Sequence, residues 1–216
     1  WNSPIRDKQT GEVTPWWGDV AGSIYDDKSR YERVPTDWNY NNNLKNFMGT
    51  GVITETNFSA SYRGERSRYY FSANHAYQKG QVPNSSLQTG NLTFNSSFNL
   101  TDKLELSANL SYNKVYSPNF PRYGYGPKNH MYTILIWMGD DVSGDDLKAH
   151  MYRPDMIGYR QANYNYAWYN NPYFAAYELN QKHDRDVLNS QLKLTYQLLP
   201  GLTLQGRLNA RSSSLF

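Results

Sequence analysis

The sequence of 216 residues contains no cysteine, which excludes disulfide scaffolds, cysteine-ligated zinc and thiol catalysis. Its charges nearly balance, because 22 Lys and Arg oppose 19 Asp and Glu for a net charge of +3. This balance is not typical of a strong polyanion binder, and we expect no nucleic-acid partner. Long apolar runs are also missing: the longest is Ile134–Met138, and the mean hydropathy is −0.82. A transmembrane helix, which needs about 20 apolar residues, is therefore not expected.

What the sequence does have is a high aromatic content and strict alternation. Aromatic residues make up 16% of the chain, whereas hydrophobic residues reach only 38%. This mixture is too aromatic for a disordered chain and too polar for an ordinary core of this size. Apolar and polar side chains alternate with a period of two, which predicts strands with two different faces. The pattern recurs in six segments: 52–63, 68–78, 92–100, 104–113, 188–198 and 202–211.

The connections between these segments differ systematically in length. Tight turns are expected at 64–66, 101–103 and 199–201, and longer links at 80–86 and 117–186. Short turns on one rim and long loops on the other are typical of an outer-membrane β-barrel. Tyrosines close both ends of the apolar faces, as in interfacial aromatic girdles: Tyr62, Tyr69 and Tyr196 beside the turns, Tyr77 and Tyr112 toward the loops. A soluble β-sandwich with a second sheet over the apolar faces shows the same alternation, so it remains an alternative.

The fold class we predict is all-β, an antiparallel segment of a transmembrane β-barrel with long extracellular loops. Six strands are too few to close a membrane barrel, which needs about eight. An open sheet edge in lipid would leave backbone groups unpaired. The sequence begins at Trp1, and no signal peptide is recognisable in it. We therefore expect either several copies closing one barrel or, more in keeping with this start, a piece of a longer chain.

Several motifs resemble the SusC/RagA branch of TonB-dependent outer-membrane transporters. They follow one another in order over about residues 43–211 of the chain. They are the run Asn43-Leu44-Lys45-Asn46-Phe47 before Thr50-Gly51, Tyr69-Tyr70-Phe71-Ser72 before Gln78-Lys79-Gly80-Gln81-Val82-Pro83-Asn84-Ser85, the turn Leu100-Thr101-Asp102-Lys103-Leu104, and the loop runs Asp145-Asp146-Leu147-Lys148, Asn170-Asn171-Pro172-Tyr173-Phe174 and Asp184-Arg185. The first forty residues carry no such motif.

The resemblance implies a nutrient importer of the bacterial outer membrane, a plugged barrel of about 22 strands. It implies a SusD-type surface lipoprotein as partner, TonB as the source of energy, lipid and lipopolysaccharide around the wall, and an oligosaccharide or peptide as substrate. The TonB box, plug and final strand of that family are not recognisable in this sequence. We therefore expect residues 1–51 to form an extracellular loop leading into a strand, 52–116 four strands, 117–186 a long loop with a short helix, and 187–213 two strands. We place that helix at Met131–Met138 and expect it to be buried, because so long a loop cannot stay ordered without burying something of its own.

No enzymatic constellation is recognisable, and we expect no cofactor. The four histidines, His75, His130, His150 and His183, have no metal-ligand spacing such as HExxH. Four acidic residues form a cluster that is an alternative candidate for a calcium site: Asp140, Asp141, Asp145 and Asp146. The simpler interpretation is a short helix capped by Ser143 or Asp145, with carboxylates near its positive end.

The candidate site is a set of aromatic residues outside the strands, with Asn, Asp and Arg between them. Flat rings beside fixed polar groups suit a sugar or peptide pocket, and packing within the long loop is the competing explanation. The residues are Trp16, Trp17, Trp38, Tyr123, Tyr125, Trp137, Tyr166 and Trp168. The alternative function is a soluble carbohydrate-binding module of the β-sandwich class, with the same aromatics on its surface.

Overall fold

The computed structural model describes residues 5–14, 30–35, 37–152, 161, 163 and 169–216. The chain divides into two compact units. The sheet unit comprises residues 51–80, 85–120 and 182–216, and the loop unit comprises residues 1–50, 81–84 and 121–181.

The sheet unit contains one antiparallel sheet of six strands in the order in which they follow along the chain. The strands are β4 (Val52–Arg63), β5 (Ser67–Lys79), β6 (Ser86–Thr101), β7 (Leu104–Ser117), β8 (His183–Leu199) and β9 (Leu202–Leu215). All six predicted strands are confirmed. Four of them extend well past the predicted segment at the end away from the tight turns: β6 and β8 begin earlier, and β7 and β9 end later.

The register pairs apolar positions with apolar positions on every strand boundary. Phe71 lies opposite both Ala60 and Phe94, and Phe94 lies opposite Leu110. Because side chains alternate between faces, this register places one apolar and one polar face on the whole sheet. Within the described chain, β4 pairs only with β5 and β9 only with β8, so the six strands form an open sheet with two edges.

Three tight turns join the strands at one end, as the sequence predicts. Residues 64–66 join β4 to β5, 102–103 join β6 to β7, and 200–201 join β8 to β9. In the last turn, Gly201 has φ of +85°, the positive value that the third residue of a type II turn requires, and it follows Pro200, a residue common at the second position. Longer segments, 80–85 and 118–182, join the opposite ends of the strands.

The loop unit has its own small sheet and its own core. Short strands β1 (Ile5–Asp7), β2 (Val13–Thr14) and β3 (Tyr31–Arg33) pair antiparallel in the order β2-β1-β3. The helices are α1 (Asn43–Phe47), α2 (His130–Tyr132), a π-helix (Thr133–Trp137), α3 (Gly144–Ala149) and α4 (Pro172–Tyr177). The core consists of Phe47, Ile134, Met138, Val142, Leu147, Tyr169, Tyr173 and Ala176.

Candidate functional site: sheet faces and an aromatic cluster

The apolar face of the six-stranded sheet is exposed in the part of the chain that the structure describes. Leu192 in β8 is 50% exposed, and Leu208, opposite it in β9, is 68% exposed. Phe58, Phe94 and Leu110 are exposed on the same face. Aromatic rings contact one another along this face, with Tyr69 lying 6.0 Å from Tyr62 and 5.3 Å from Phe98 between ring centroids. A soluble sandwich would bury such side chains under a second sheet.

A cluster of charged side chains marks the limit of the apolar stripe on β7 and β8, at the strand ends that lie away from the tight turns. Beyond Leu188, the next residues of the same face are Asp186 and Asp184. Lys114 Nζ lies 2.9 Å from Asp186 and 2.5 Å from Asp184, and the Tyr112 hydroxyl donates a hydrogen bond to Asp186. Lys182 adds a second cation 3.2 Å from Asp184. The apolar stripe therefore has a definite polar limit.

In the loop unit, four rings form what we call the aromatic cluster: Tyr125, Tyr132, Trp137 and Tyr169. Trp137 stacks on Tyr169 with centroids 5.1 Å apart and an interplanar angle of 29°. Tyr132 lies 4.9 Å from Tyr125 and 6.4 Å from Tyr169. Tyr169 is buried, whereas Trp137 and Tyr125 are 47% and 90% exposed. The cluster is thus anchored in the core and presents two rings to its surroundings.

Backbone geometry explains the exposure of the two tyrosines at its edge. Gly124 and Gly126 have φ of +96° and +124°, which other residues adopt only with strain. This backbone carries Tyr123 and Tyr125 outward on either side of Gly124, and Asn129 Nδ2 holds the turn by donating to the Gly124 carbonyl at 2.7 Å. A hydrogen bond with the Tyr132 hydroxyl raises the pKa of Tyr125.

Two buried asparagines hold the segments that support the cluster. Asn171 is fully buried; its Nδ2 donates to the Leu147 carbonyl at 2.8 Å, and its Oδ1 accepts from the Tyr173 N–H at 3.0 Å. Asn43 Nδ2 donates to the Val142 carbonyl at 2.9 Å, and its Oδ1 accepts from the Gly144 N–H at 3.0 Å. Motifs that are far apart in sequence are therefore tied together by side-chain amides.

A buried histidine lies in the same core. The His130 ring packs 5.3 Å from the Phe47 ring, is 4% exposed, and its Nε2 has no hydrogen-bond partner among the described residues. Burial lowers the pKa of His130 to about 4, so the ring is neutral at physiological pH. Burial likewise raises the pKa of Tyr173 to about 12.

The structure brings together two of the eight predicted site aromatics, Tyr125 and Trp137. Trp38 is exposed and contacts Tyr40 at 6.4 Å between centroids, and Tyr123 is exposed beside the cluster in sequence. Trp16, Trp17, Tyr166 and Trp168 lie outside the described residues. The prediction omits Tyr132, which connects Tyr125 to Trp137.

The helix predicted over 131–138 forms as α2 and the π-helix, but only some of its side chains are buried in the core. Leu135, Ile136 and Trp137 are exposed, whereas Ile134 and Met138 are buried. A π-helix places five residues on about one turn and is frequent at functional sites, and here it turns three large apolar side chains outward.

Two of the four acidic residues of the predicted calcium cluster, Asp145 and Asp146, lie at the start of a helix, whereas Asp140 and Asp141 precede it. Ser143 caps α3 by accepting from the Asp146 N–H at 3.2 Å, and Asp145 and Asp146 occupy its first turn. Asp146 also lies 3.0 Å from His150 Nδ1. In the described ranges, no three acidic or histidine side chains approach closely enough to hold a metal ion. Of the other histidines, His75 is exposed on β5 and His183 lies 5.9 Å from Phe120 between ring centroids.

Comparison with known proteins gives no family. No protein-family model matches the chain, and no curated protein matches it significantly. Among the residues that the structure describes, no helix is both long and apolar enough to cross a membrane.

Proposed function

We propose that this chain forms part of the wall and the substrate-facing loops of a TonB-dependent outer-membrane importer of the SusC/RagA type. In this proposal the apolar sheet face contacts lipid, and the polar face lines a hydrated interior. A SusD-type lipoprotein and TonB act with the complete transporter, which takes up an oligosaccharide or a peptide. The chain itself performs no bond chemistry.

The observation that carries the proposal is the uncovered apolar face. Full burial of one leucine stabilises a protein by about 1.5–3 kcal/mol. Leaving six leucines half exposed to water would therefore forgo on the order of 5 kcal/mol, comparable with the whole stability of many domains. The six are Leu188, Leu192, Leu194, Leu202, Leu204 and Leu208. Acyl chains around the sheet would remove this cost without a second protein layer.

The stagger of the hairpins supports a tilted wall. The last regular pairs beside the turns are Arg63 with Arg68, Asn99 with Glu105, and Gln197 with Thr203. When neighbouring hairpins are aligned through their paired residues, each of these pairs lies two residues closer to the turn end of the sheet than the previous one. Two residues of about 3.3 Å against two strand spacings of about 4.8 Å correspond to a tilt of about 35°, provided that the turns share one height. Membrane barrels have tilts of about 35–45°.

The same stagger aligns the tyrosines. Allowing one residue of shift per strand, Tyr62, Tyr69 and Tyr196 fall within about one residue of a common height. On β8 the apolar stripe from Leu188 to Leu198 then covers about 27 Å across the membrane, close to the roughly 25 Å band of such barrels. Aromatic girdles and a band of this height support lipid contact.

The aromatic cluster supports substrate or partner capture by the loops. Its exposed rings, Tyr125 and Trp137, offer flat faces next to a buried core, which suits stacking against sugar rings or packing against apolar side chains. The role proposed for the cluster is therefore binding.

The test is to place single cysteines on the two faces of β8. Because these 216 residues contain no cysteine, Leu192→Cys and Gln191→Cys each introduce one thiol into this segment, at adjacent residues on opposite faces. An environment-sensitive dye is attached to each in the full-length protein in lipid vesicles. We expect acyl-chain nitroxides to quench the dye in the Leu192→Cys variant, and aqueous iodide to quench the dye in the Gln191→Cys variant.

Other labelling patterns would exclude the lipid-facing wall. Iodide quenching in both variants means that water reaches both faces. Protection of the dye in the Leu192→Cys variant from both quenchers means that a protein layer covers it, which is the result expected of the soluble sandwich module.

A further inference from the structure

The polar face of the sheet carries an excess of positive charge, although the net charge of the whole chain is only +3. Six cations lie on it: Arg63, Arg68, Arg185, Lys193, Arg207 and Arg211. Two carboxylates, Glu55 and Glu105, share that face. On the apolar face, by contrast, the charged ends of the strands contribute Lys79 and Lys114 against Asp184 and Asp186. The near-neutral total therefore hides a strongly cationic polar face.

Four of these cations lie in one row across the sheet, which we call the cationic row. Arg63 lies directly opposite Arg68, and Lys193 lies directly opposite Arg207. Ser97 and Ser107 occupy the same row on the two strands between these pairs. Like charges directly opposite each other on neighbouring strands destabilise a sheet.

The row lacks compensation within the described chain. No carboxylate forms an ion pair with any of its four cations there, although Arg66 and Asp102 do pair nearby, in the turns, at 3.8 Å. The hydrogen bond that the structure assigns to Arg207 goes to the neutral Gln205 Oε1, at 3.5 Å. Arg63, Arg68 and Arg207 lie on the accessible polar face, where their guanidinium donors can meet an anion. Arg geometry suits carboxylate and sulfate groups.

The spacing of the row favours an extended ligand. The two cation pairs are separated by three strand spacings, about 14 Å, and the whole row spans about 24 Å. The Ser97 and Ser107 side chains between them supply hydroxyl groups, and Ser107 Oγ donates to Glu105 at 2.9 Å. A single small anion would satisfy one pair and leave the other, whereas a chain with several anionic groups reaches both.

We propose that the cationic row binds an anionic oligomer, a sugar or peptide chain that carries several carboxylate or sulfate groups. This deepens the proposed function, on which it rests for the idea of uptake, by naming acidic oligomers as the substrate class. Binding itself requires only that the polar face be wet. Fixed positive charge on such a face attracts anionic solutes and speeds their association.

The experiment measures binding to the full-length protein in detergent by calorimetry. The probes are hexagalacturonate, a hexaglutamate peptide and neutral maltohexaose. The row variant is Arg63→Gln/Arg68→Gln. The matched control, Arg66→Gln/Lys103→Gln, removes the same number of cations from the two neighbouring tight turns.

We expect an acidic probe to bind more tightly than maltohexaose, and its affinity to fall with salt as screening increases. The row variant should weaken acidic binding about tenfold and flatten the salt dependence, because the two arginines of the pair share one anionic group of the ligand and one such charged contact is worth roughly that factor. The control should change it less than about twofold. Preference for hexagalacturonate or hexaglutamate identifies the sugar or the peptide source. Equal binding of maltohexaose, or equal losses in both variants, overturns the proposal.

An alternative to a ligand is an acidic polypeptide segment that packs permanently on the cationic row. The melting temperature of the protein without ligand tests this alternative. Our proposal expects the row variant to melt at the same or a higher temperature, because like-charge repulsion is relieved. A lower melting temperature, with the control unchanged, would overturn the ligand proposal in favour of that segment. Dye quenching in the Leu192→Cys variant tests lipid contact separately, so failure of the wall and failure of the anion site are distinguishable.

Discussion

If the apolar face contacts lipid, as we propose, a charge placed on it should cost free energy in proportion to its depth in the membrane. Leu192 and Leu188 lie on the same face of β8, and both are half exposed. Leu192 is near the middle of the apolar stripe, and Leu188 is its last member before Asp186. Four residues separate them, about 13 Å along the strand and about 11 Å in depth at a tilt of about 35°. The two positions therefore differ in depth while sharing residue type, strand and face.

Arginine at the two positions should differ strongly in its effect. We expect Leu192→Arg to reduce the free energy of unfolding by about 2–4 kcal/mol, as at a bilayer midplane, and Leu188→Arg by about 0–1 kcal/mol, as near an interface. The control is Gln191→Arg, which faces Asn109 and Asn209 on the polar side and should also cost less than about 1 kcal/mol. The assay is urea-dependent unfolding of the full-length protein in lipid vesicles.

Equal losses of unfolding free energy in Leu192→Arg and Leu188→Arg would refute this prediction. In water, Leu192→Arg and Leu188→Arg would both cost little. Under a protein layer, both would be costly, because a buried unpaired charge is destabilising at any depth. A cost for Gln191→Arg equal to that for Leu192→Arg would mean that the faces are assigned wrongly.

Three further predictions concern the loop unit. Because the pKa of His130 is lowered to about 4 by burial, the unfolded chain binds the proton first, and stability should fall by about 3 kcal/mol as the pH drops from about 6.5 to 4. His130→Phe should remove this dependence in pH-dependent hydrogen exchange, whereas His150→Gln should preserve it. Asn171→Ala should cost about 2–4 kcal/mol, since it leaves a buried carbonyl and a helix N–H unpaired; unchanged exchange protection of Tyr173 would refute this. Trp137→Ala should weaken oligosaccharide binding by about 1 kcal/mol, measured by calorimetry over neutral and acidic sugars. Equal affinities of the Trp137→Ala variant and the unchanged protein for every sugar would show that the aromatic cluster is not part of the binding site.

The strands could be predicted because their signal is local. Alternation marks both faces without reference to any distant residue, and the turns follow from residues such as Pro200 and Gly201. The extra length of β6, β7, β8 and β9 was not predictable in this way, because those ends have weaker alternation and are held by pairing with a neighbour. Burial by tertiary contacts also decided which side of the helix over 131–138 faces the core.

The candidate site was predictable in composition but not in arrangement. Aromatic residues outside the strands are visible in the sequence, and Trp137 and Tyr125 do belong to one cluster. Their link through Tyr132 joins near neighbours in the sequence, but their support by Tyr169 depends on contacts between residues more than thirty positions apart. The sequence contains no local signal for such contacts.

By itself, the sequence determined six two-faced strands, three tight turns and the face to which each side chain belongs, because a period of two is a property of neighbouring residues. Only the tertiary structure decided the register, and with it the stagger of the hairpins and the opposition of Arg63 to Arg68 and of Lys193 to Arg207. Register depends on which residues of different strands exchange hydrogen bonds, and that choice is made by the whole sheet.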